Sequence, residues 1–327
     1  MLKDDVLHLL STASAPLSGE AMSRELGVSR AAVWKAIEAL RGEGYAIDSR
    51  PGLGYRLTAA PDLLSPGELR QPGRSVGDRV VCLACTDSTN NDCRRRAAQG
   101  EAPGLVVVAG EQTGGKGRRG RAFQSLPGKG LYLSALLRPT QVSLAEVQQL
   151  TAWIAVAVCR AVEEVTGLSC AIKWTNDVLL EGKKLCGILC ELGLDDDGRL
   201  DYVVAGMGVN VSQTPQDFGA ELSPIATSLA QQLDRPPRRA ALAAALIREL
   251  ADLCDRFPRD RAPYLAEYRR RCVTTGQQVL LLREGGQREA LALAVNEDFT
   301  LRVRYEDGRE EDLSAGEVSV RGMMGYV

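Results

Sequence analysis

Residues 111–121, EQTGGKGRRGR, stand directly behind the apolar run LVVVAG and constrain this chain more than any other stretch. Gly115, Gly117 and Gly120 alternate with Lys116, Arg118, Arg119 and Arg121, so the segment reads as a loop at the end of a buried strand. Backbone without Cβ atoms can approach a ligand closely, and four cations nearby suit phosphates or a carboxylate. The spacing is not GxxxxGK[ST], and no helix pattern follows as a dinucleotide fold would need. On residue chemistry alone, a basic surface loop or an RNA contact fits as well.

The rest of the chain supplies the frame for that loop. Its 327 residues exceed the usual size of one domain and imply two or three. With 40 basic and 42 acidic side chains, any hold on nucleic acid must come from a local patch rather than from overall charge. The start, MLKDDVLHLLSTAS, is acidic where a secretory leader is basic, and no window reaches the roughly 18 apolar residues of a membrane span. A cytoplasmic protein without membrane contact is expected. Nine cysteines, an odd number scattered through apolar runs, read as reduced core residues, and His8 is the lone histidine, so a zinc site is not expected.

Residues 1–60 carry helical and turn signals in a particular order. A helix near residues 6–10 precedes Ser18, which caps a second helix ending at Gly27; Ser29 then caps a third, in which Val33, Ile37 and Leu40 fall on one face. Two short alternating stretches follow, joined through Pro51, Gly52 and Gly54. The pattern is that of a winged helix-turn-helix. Docked in a major groove, the third helix would present Ser29, Arg30, Ala31, Trp34 and Lys35, and the wing Arg50 and Arg56 would meet backbone. A small helical adaptor with a solvated basic face is the competing reading.

Beyond a Pro- and Gly-rich connector at residues 59–73, strand-like runs occur at 79–84, 105–109, 131–137, 171–174, 178–180, 185–192 and 202–209, with helices over about 147–165 and 238–257. Because strands cluster rather than alternate with helices, the class is α+β, with a mixed or antiparallel sheet and helices on one side. From about residue 273, short β runs between tight turns suggest a small barrel.

Four motifs in sequence order then resemble the biotin-protein ligase family. They are DSTN at 87–90, the GKGRRGR loop at 115–121, KWTND at 173–177 followed by KKLCGILCE at 183–191, and GMGVN at 206–210. The head, with LGVSRAAVWKAIEALR, is similar to that of bifunctional members that also repress biotin genes. The resemblance runs through nearly the whole chain. It implies a winged-helix DNA-binding domain at 1–60, a ligase domain at 61–272 and an SH3-like β barrel at 273–327. It also implies an activity: biotin and ATP, with Mg2+, give biotinyl-5′-AMP, and biotin passes to a lysine of a biotin carboxyl carrier domain. Operator DNA and a second copy of the chain are the further partners implied.

The family's site residues map onto this sequence by motif. Ser88, Thr89, Asn90, Gln112, Lys116, Gly117, Arg118 and Lys184 would hold biotin, whose ureido ring needs neutral donors and acceptors. Gly115, Arg121, Phe123, Asn176, Asn210 and Arg321 would meet the nucleotide. Lys184 would neutralise two anions forced together, Arg118 would help hold the adenylate until an acceptor arrives, and Asp177 would hold Mg2+ or steer or deprotonate the acceptor lysine. Three positions depart from the family pattern: Lys116 for arginine, Phe123 for tryptophan and Thr175 for proline. A DNA-binding biotin sensor without turnover is the alternative reading, and a lipoate ligase shares the general fold without this loop or head.

Overall fold

The computed structural model describes residues 2–50, 52–140, 142–283, 286–314 and, for backbone alone, 319–322. The head comprises α1 (Leu2–Thr12), α2 (Gly19–Leu26), α3 (Arg30–Gly42) and the hairpin β1 (Ala46–Arg50) and β2 (Gly54–Ala59). Both expected caps form: Ser18 Oγ accepts from Ala21 N at 3.0 Å and Ser29 Oγ from Ala32 N at 3.2 Å. Gly27 ends α2 in the left-handed conformation, which turns the chain into α3. Val6, Leu7, Leu10, Met22, Val33, Ile37 and Leu40 make a core separate from that of the remaining chain.

The connector is not a free tether. It contains α4 (Pro66–Leu69), which lies so tightly on α1 that a Cβ on Gly67 would stand 2.7 Å from the Asp4 carbonyl oxygen. Arg238 donates to both Glu68 carboxylate oxygens, at 2.6 and 2.8 Å, and Tyr45 of the head donates to Glu68 Oε1 at 3.0 Å. Burial pushes the Tyr45 hydroxyl up to about 12. Arg239 grips Asp62 through its backbone and side chain, both at 2.7 Å.

The central body begins with β3 (Arg79–Leu83), α5 (Thr89–Ala98), β4 (Leu105–Ala109), β5 (Gly130–Leu137) and α6 (Leu144–Thr166). It continues through β6 (Ala171–Lys173), β7 (Asp177–Leu180), β8 (Lys183–Leu194), β9 (Leu200–Asn210), α7 (Pro215–Leu222), α8 (Arg239–Arg256) and α9 (Arg261–Arg271). The seven strands form one sheet in the order β3-β4-β5-β9-β8-β7-β6, parallel between β3 and β4 and antiparallel elsewhere, so the sheet is mixed as expected. Period-two alternation sends Val106, Val108, Leu133, Ala135, Val203 and Ala205 into one core with the long α6 and α8. The opposite residues Leu105, Val107, Leu136 and Val204 pack under Cys93 and Ala97 of α5. Helices therefore cover one face fully, as expected, and α5 adds a short layer over half of the other. The uncovered half of that second face holds the site.

Five antiparallel strands close the chain: β10 (Gln278–Arg283), β11 (Gly286–Val295), β12 (Leu301–Arg304), β13 (Glu310–Leu313) and β14 (Ser319–Gly322), in the order β13-β12-β11-β10-β14. No pairing of β13 with β14 occurs among the described residues. Val279, Leu281, Ala292, Leu301 and Val303 belong to the same core as the central sheet. All nine cysteines are free thiols, and among the described residues no group of three metal-ligating side chains and no helix fit to cross a membrane occurs.

Glu68 is nearly buried, so losing its partner leaves a charge poorly compensated. Arg238→Ala is expected to lower unfolding stability by about 2 kcal/mol in urea titration and to speed amide exchange in residues 61–70.

Candidate active site

Ser88, Thr89, Asn90, Gln112, Lys116, Gly117, Arg118, Phe123, Asn176 and Lys184 line one cleft on the open half of the second sheet face. Three glycines make its floor. Gly187 and Gly208 are direct cross-strand partners on β8 and β9, and Gly206 follows two residues away on the same face. A Cβ on Gly206 would come within 2.1 Å of Asn90 Oδ1, one on Gly208 within 2.6 Å of the Phe123 ring, and one on Gly187 within 3.1 Å of the Lys184 stem. The motifs GMG and KLCG are thus flat places on which functional side chains lie.

DSTN is the junction into α5, with Ser88 at the N-cap position, and the Ser88 hydroxyl does not cap the helix but lines the cleft. Beside it, Gln112 Oε1 accepts from Thr89 N at 2.8 Å and Thr89 Oγ1 at 3.1 Å, and Gln112 Nε2 donates to Ser125 Oγ at 2.8 Å. Beneath, fully buried Ser134 of β5 lies 2.7 Å from Thr89 Oγ1 and 2.6 Å from Asn90 Oδ1, and Asn90 Nδ2 donates to Glu191 at 2.8 Å. Thr89, Asn90 and Gln112 thus belong to one hydrogen-bond network anchored to the sheet through Ser134 and Glu191, which suits a pocket for a neutral polar ring.

The charged end is built by the β7–β8 hairpin. A bulge between Val178 and Leu179 breaks the register, so Leu185 and Cys186, consecutive residues, are both fully buried while Lys184 turns toward the cleft. Its ammonium meets Asp177 Oδ1 at 2.7 Å. Arg118 donates to Asn176 Oδ1 at 2.9 Å, which brings a second cation beside the pair. Burial pulls the Arg118 guanidinium below its ordinary value, Asp177 opposes that pull, and Arg119 and Arg121 add to it. The turn carrying Asn176 and Asp177 is pinned from behind, because Trp174 donates from its indole to the Phe299 carbonyl at 2.9 Å and from its backbone to Thr274 Oγ1 at 2.9 Å.

The glycine-rich loop folds back on itself: Phe123 N donates to Gly115 O at 2.9 Å and Gly117 N to Arg121 O at 2.7 Å. Gly115 is obligatory there, since a Cβ would lie 2.4 Å from the Phe123 carbonyl oxygen. The loop's exit is tied to α7, where Asp217 accepts from Lys129 at 2.9 Å. Hydrogen bonds from the Thr214 backbone and from Lys129 bring the Asp217 carboxyl down to about 2.

Residues 82–210 match the model of the biotin/lipoate A/B protein ligase family, and residues 3–56 match an HTH domain. The chain is 41% identical to the bifunctional ligase/repressor BirA of Bacillus subtilis (strain 168), over 70% of this chain and 71% of that protein. The chain belongs to the biotin protein ligase family. The bifunctional ligase/repressor BirA of Escherichia coli (strain K12) is 30% identical over 93% of this chain and 92% of its own length. A biotin protein ligase from Aquifex aeolicus, solved in complex with biotin and ATP, superposes with a TM-score of 0.64 at 27% identity, covering 75% of this chain and 99% of its own.

Among the expected nucleotide residues of this ligase, Asn176 and Phe123 line the cleft, whereas Gly115 and Arg121 stand outside the lining in the loop hairpin. Asn210, at the end of β9, is buried outside the cleft lining, where its amide donates to the Thr227 carbonyl at 3.0 Å and accepts from Gln213 at 3.1 Å. The side chain of Arg321 lies outside the described residues. In the head, Ser29, Arg30, Ala31, Trp34, Lys35, Arg50 and Arg56 are all exposed, with Trp34 53% accessible despite its size. Sequence reasoning missed Ser134, Ser125, Glu191 and Asn91. Ser134 had a signal: it is the one serine in the otherwise apolar and aromatic strand GLYLSALL.

Gly206→Ala is expected to drive Asn90 off Ser134 and to cost about 2 kcal/mol in thermal unfolding. Adding Asn90→Ala makes room, so the double variant should lose less than the sum of the two singles, and additive losses would contradict the packing described.

Proposed function

We propose that this biotin protein ligase joins the biotin carboxylate to the α-phosphorus of ATP at the Lys184–Asp177 end of the cleft. The observation that carries the reading is the convergence of Lys184 and Arg118 beside a wall of fixed neutral groups. A carboxylate oxygen attacks phosphorus, pyrophosphate leaves, and the mixed anhydride biotinyl-5′-AMP remains. Both reactants are anionic, so the barrier contains their mutual repulsion, which preorganised cations offset in a site sheltered from water. Ser88, Thr89 and Gln112 would take the ureido ring, Lys116 and Gly117 the carboxylate end, and Phe123 the adenine. Asn210 supports the strand that carries Lys184. The amine of a lysine on a biotin carboxyl carrier domain then attacks the anhydride carbonyl, releasing AMP.

The donor set fits Mg2+ in its usual nucleotide mode, one carboxylate with the remaining ligands from phosphates and water. Asp177 would hold it, and the ion would neutralise the triphosphate.

The exposed face of α3 and the wing would read operator DNA, with two heads of a homodimer spanning a two-fold site. Residues 1–60 serve as the DNA-reading unit, 61–272 as the catalytic body and 273–327 as its C-terminal β domain, a division that the separate core of the head supports. Nine free thiols suit a cytoplasmic setting.

Incubation with biotin, ATP, Mg2+ and a carrier domain should add one biotin mass to the carrier. An unmodified carrier alongside intact biotin binding would instead favour a sensor without turnover. Lys184→Ala should slow pyrophosphate release by roughly 100-fold or more, measured in a coupled phosphate assay.

A further inference from the structure

Lys116 is held by a residue outside all four motif assignments. Its ammonium donates to Asn91 Oδ1 at 2.7 Å. The amide nitrogen of Asn91 donates in turn to Asp87 Oδ2 at 2.6 Å. Asp87 is clamped by Arg95 at 2.8 and 3.1 Å, and its carbonyl accepts from Gly114 N at 2.8 Å, at the entrance of the loop. Hydrogen bonds from Arg95, and then from Asn91, hold the Asp87 carboxyl far below the usual carboxylate range. One chain of contacts thus runs from Arg95 through Asp87 and Asn91 to Lys116.

We propose that Asn91 is a positioning residue for Lys116, fixing its ammonium at the cleft while leaving its charge intact for the carboxylate end of biotin. The inference rests on the reading that Lys116 faces biotin. A lysine has a flexible four-carbon stem and no planar fork, so at this position it needs a second anchor. An ammonium has three donors, of which Asn91 engages one. The amide oxygen is neutral, so the lysine keeps its full charge. A carboxylate at position 91 would grip harder but cancel the charge that an anionic ligand needs. Asp87, the carboxylate behind Asn91, is one contact further away and already matched by Arg95.

Biotin binding to the full-length protein by calorimetry, with separate KM values for biotin and ATP, tests this. Asn91→Ala should weaken biotin binding roughly 3- to 10-fold, with the KM for ATP unchanged. Asn91→Asp should weaken it further despite its stronger contact with Lys116, an order that a packing role would not produce. In the Lys116→Ala background, Asn91→Ala should add nothing. If Lys116→Ala weakens biotin binding and both Asn91 variants do not, the positioning role is overturned and Lys116 keeps its assignment. If Lys116→Ala leaves biotin binding unchanged, the biotin-facing reading of Lys116 fails and the proposal falls with it. Equal losses for biotin and ATP with a lowered Tm would overturn it in favour of a structural role.

Discussion

An ammonium and a carboxylate 2.7 Å apart in a partly sheltered cleft are useful to chemistry only when the backbone fixes both ends. Left to themselves, such side chains satisfy each other in many geometries, and a mobile pair offers little to a reacting anion. Here the bulge in β7–β8 aims Lys184, and the Thr227 and Ile225 backbones pair with its own at 2.9 and 2.8 Å. The Trp174 indole, bonded to the Phe299 carbonyl, steadies the turn that carries Asp177. The C-terminal sheet therefore braces the hairpin that carries Lys184 and Asp177, and it shares the core of the central body.

The same constraint explains the floor of the cleft. Side chains on a sheet face stand off the backbone by several ångströms, and a ligand pocket there needs places where they are missing. Gly187, Gly206 and Gly208 provide them at cross-strand and i, i+2 positions, so Phe123 and Asn90 lie directly on the strands. On the other half of that face, where no site is needed, Leu136 and Val204 take the equivalent positions and α5 covers them. One period-two register thus produces a packed half and an open half.

The C-terminal sheet joins the central body through a shared core, and the head does not. The head keeps its own core but is fastened through polar contacts, Tyr45 and Arg238 on Glu68 and Arg239 on Asp62. Such contacts set a direction as well as an attraction, because arginine and carboxylate meet in planar geometry.

Much of the element order was legible in the sequence, although α4, α5, α7 and α9 were not anticipated. The caps Ser18 and Ser29, the left-handed Gly27, the strand runs and the long apolar helix follow from local rules acting on adjacent residues. The loop at 115–121 was legible as a loop, but clustered glycines and cations also suit a basic surface or an RNA contact, and only its company with the other three motifs pointed to a ligase. Tertiary structure decided what no local rule contains. Residues 59–73 read as a spacer by composition, yet α4 is docked by partners some 170 residues away. Asn210 read as a ligand contact, and the assembled chain gives its amide partners in Thr227 and Gln213 that no local rule predicts. Asn91 carried no signal, because its meaning depends on the loop folding back over α5. Local propensity and periodicity fix which residues form each element. Which side chains then meet depends on the register between strands and on contacts distant in sequence, which only the assembled chain specifies.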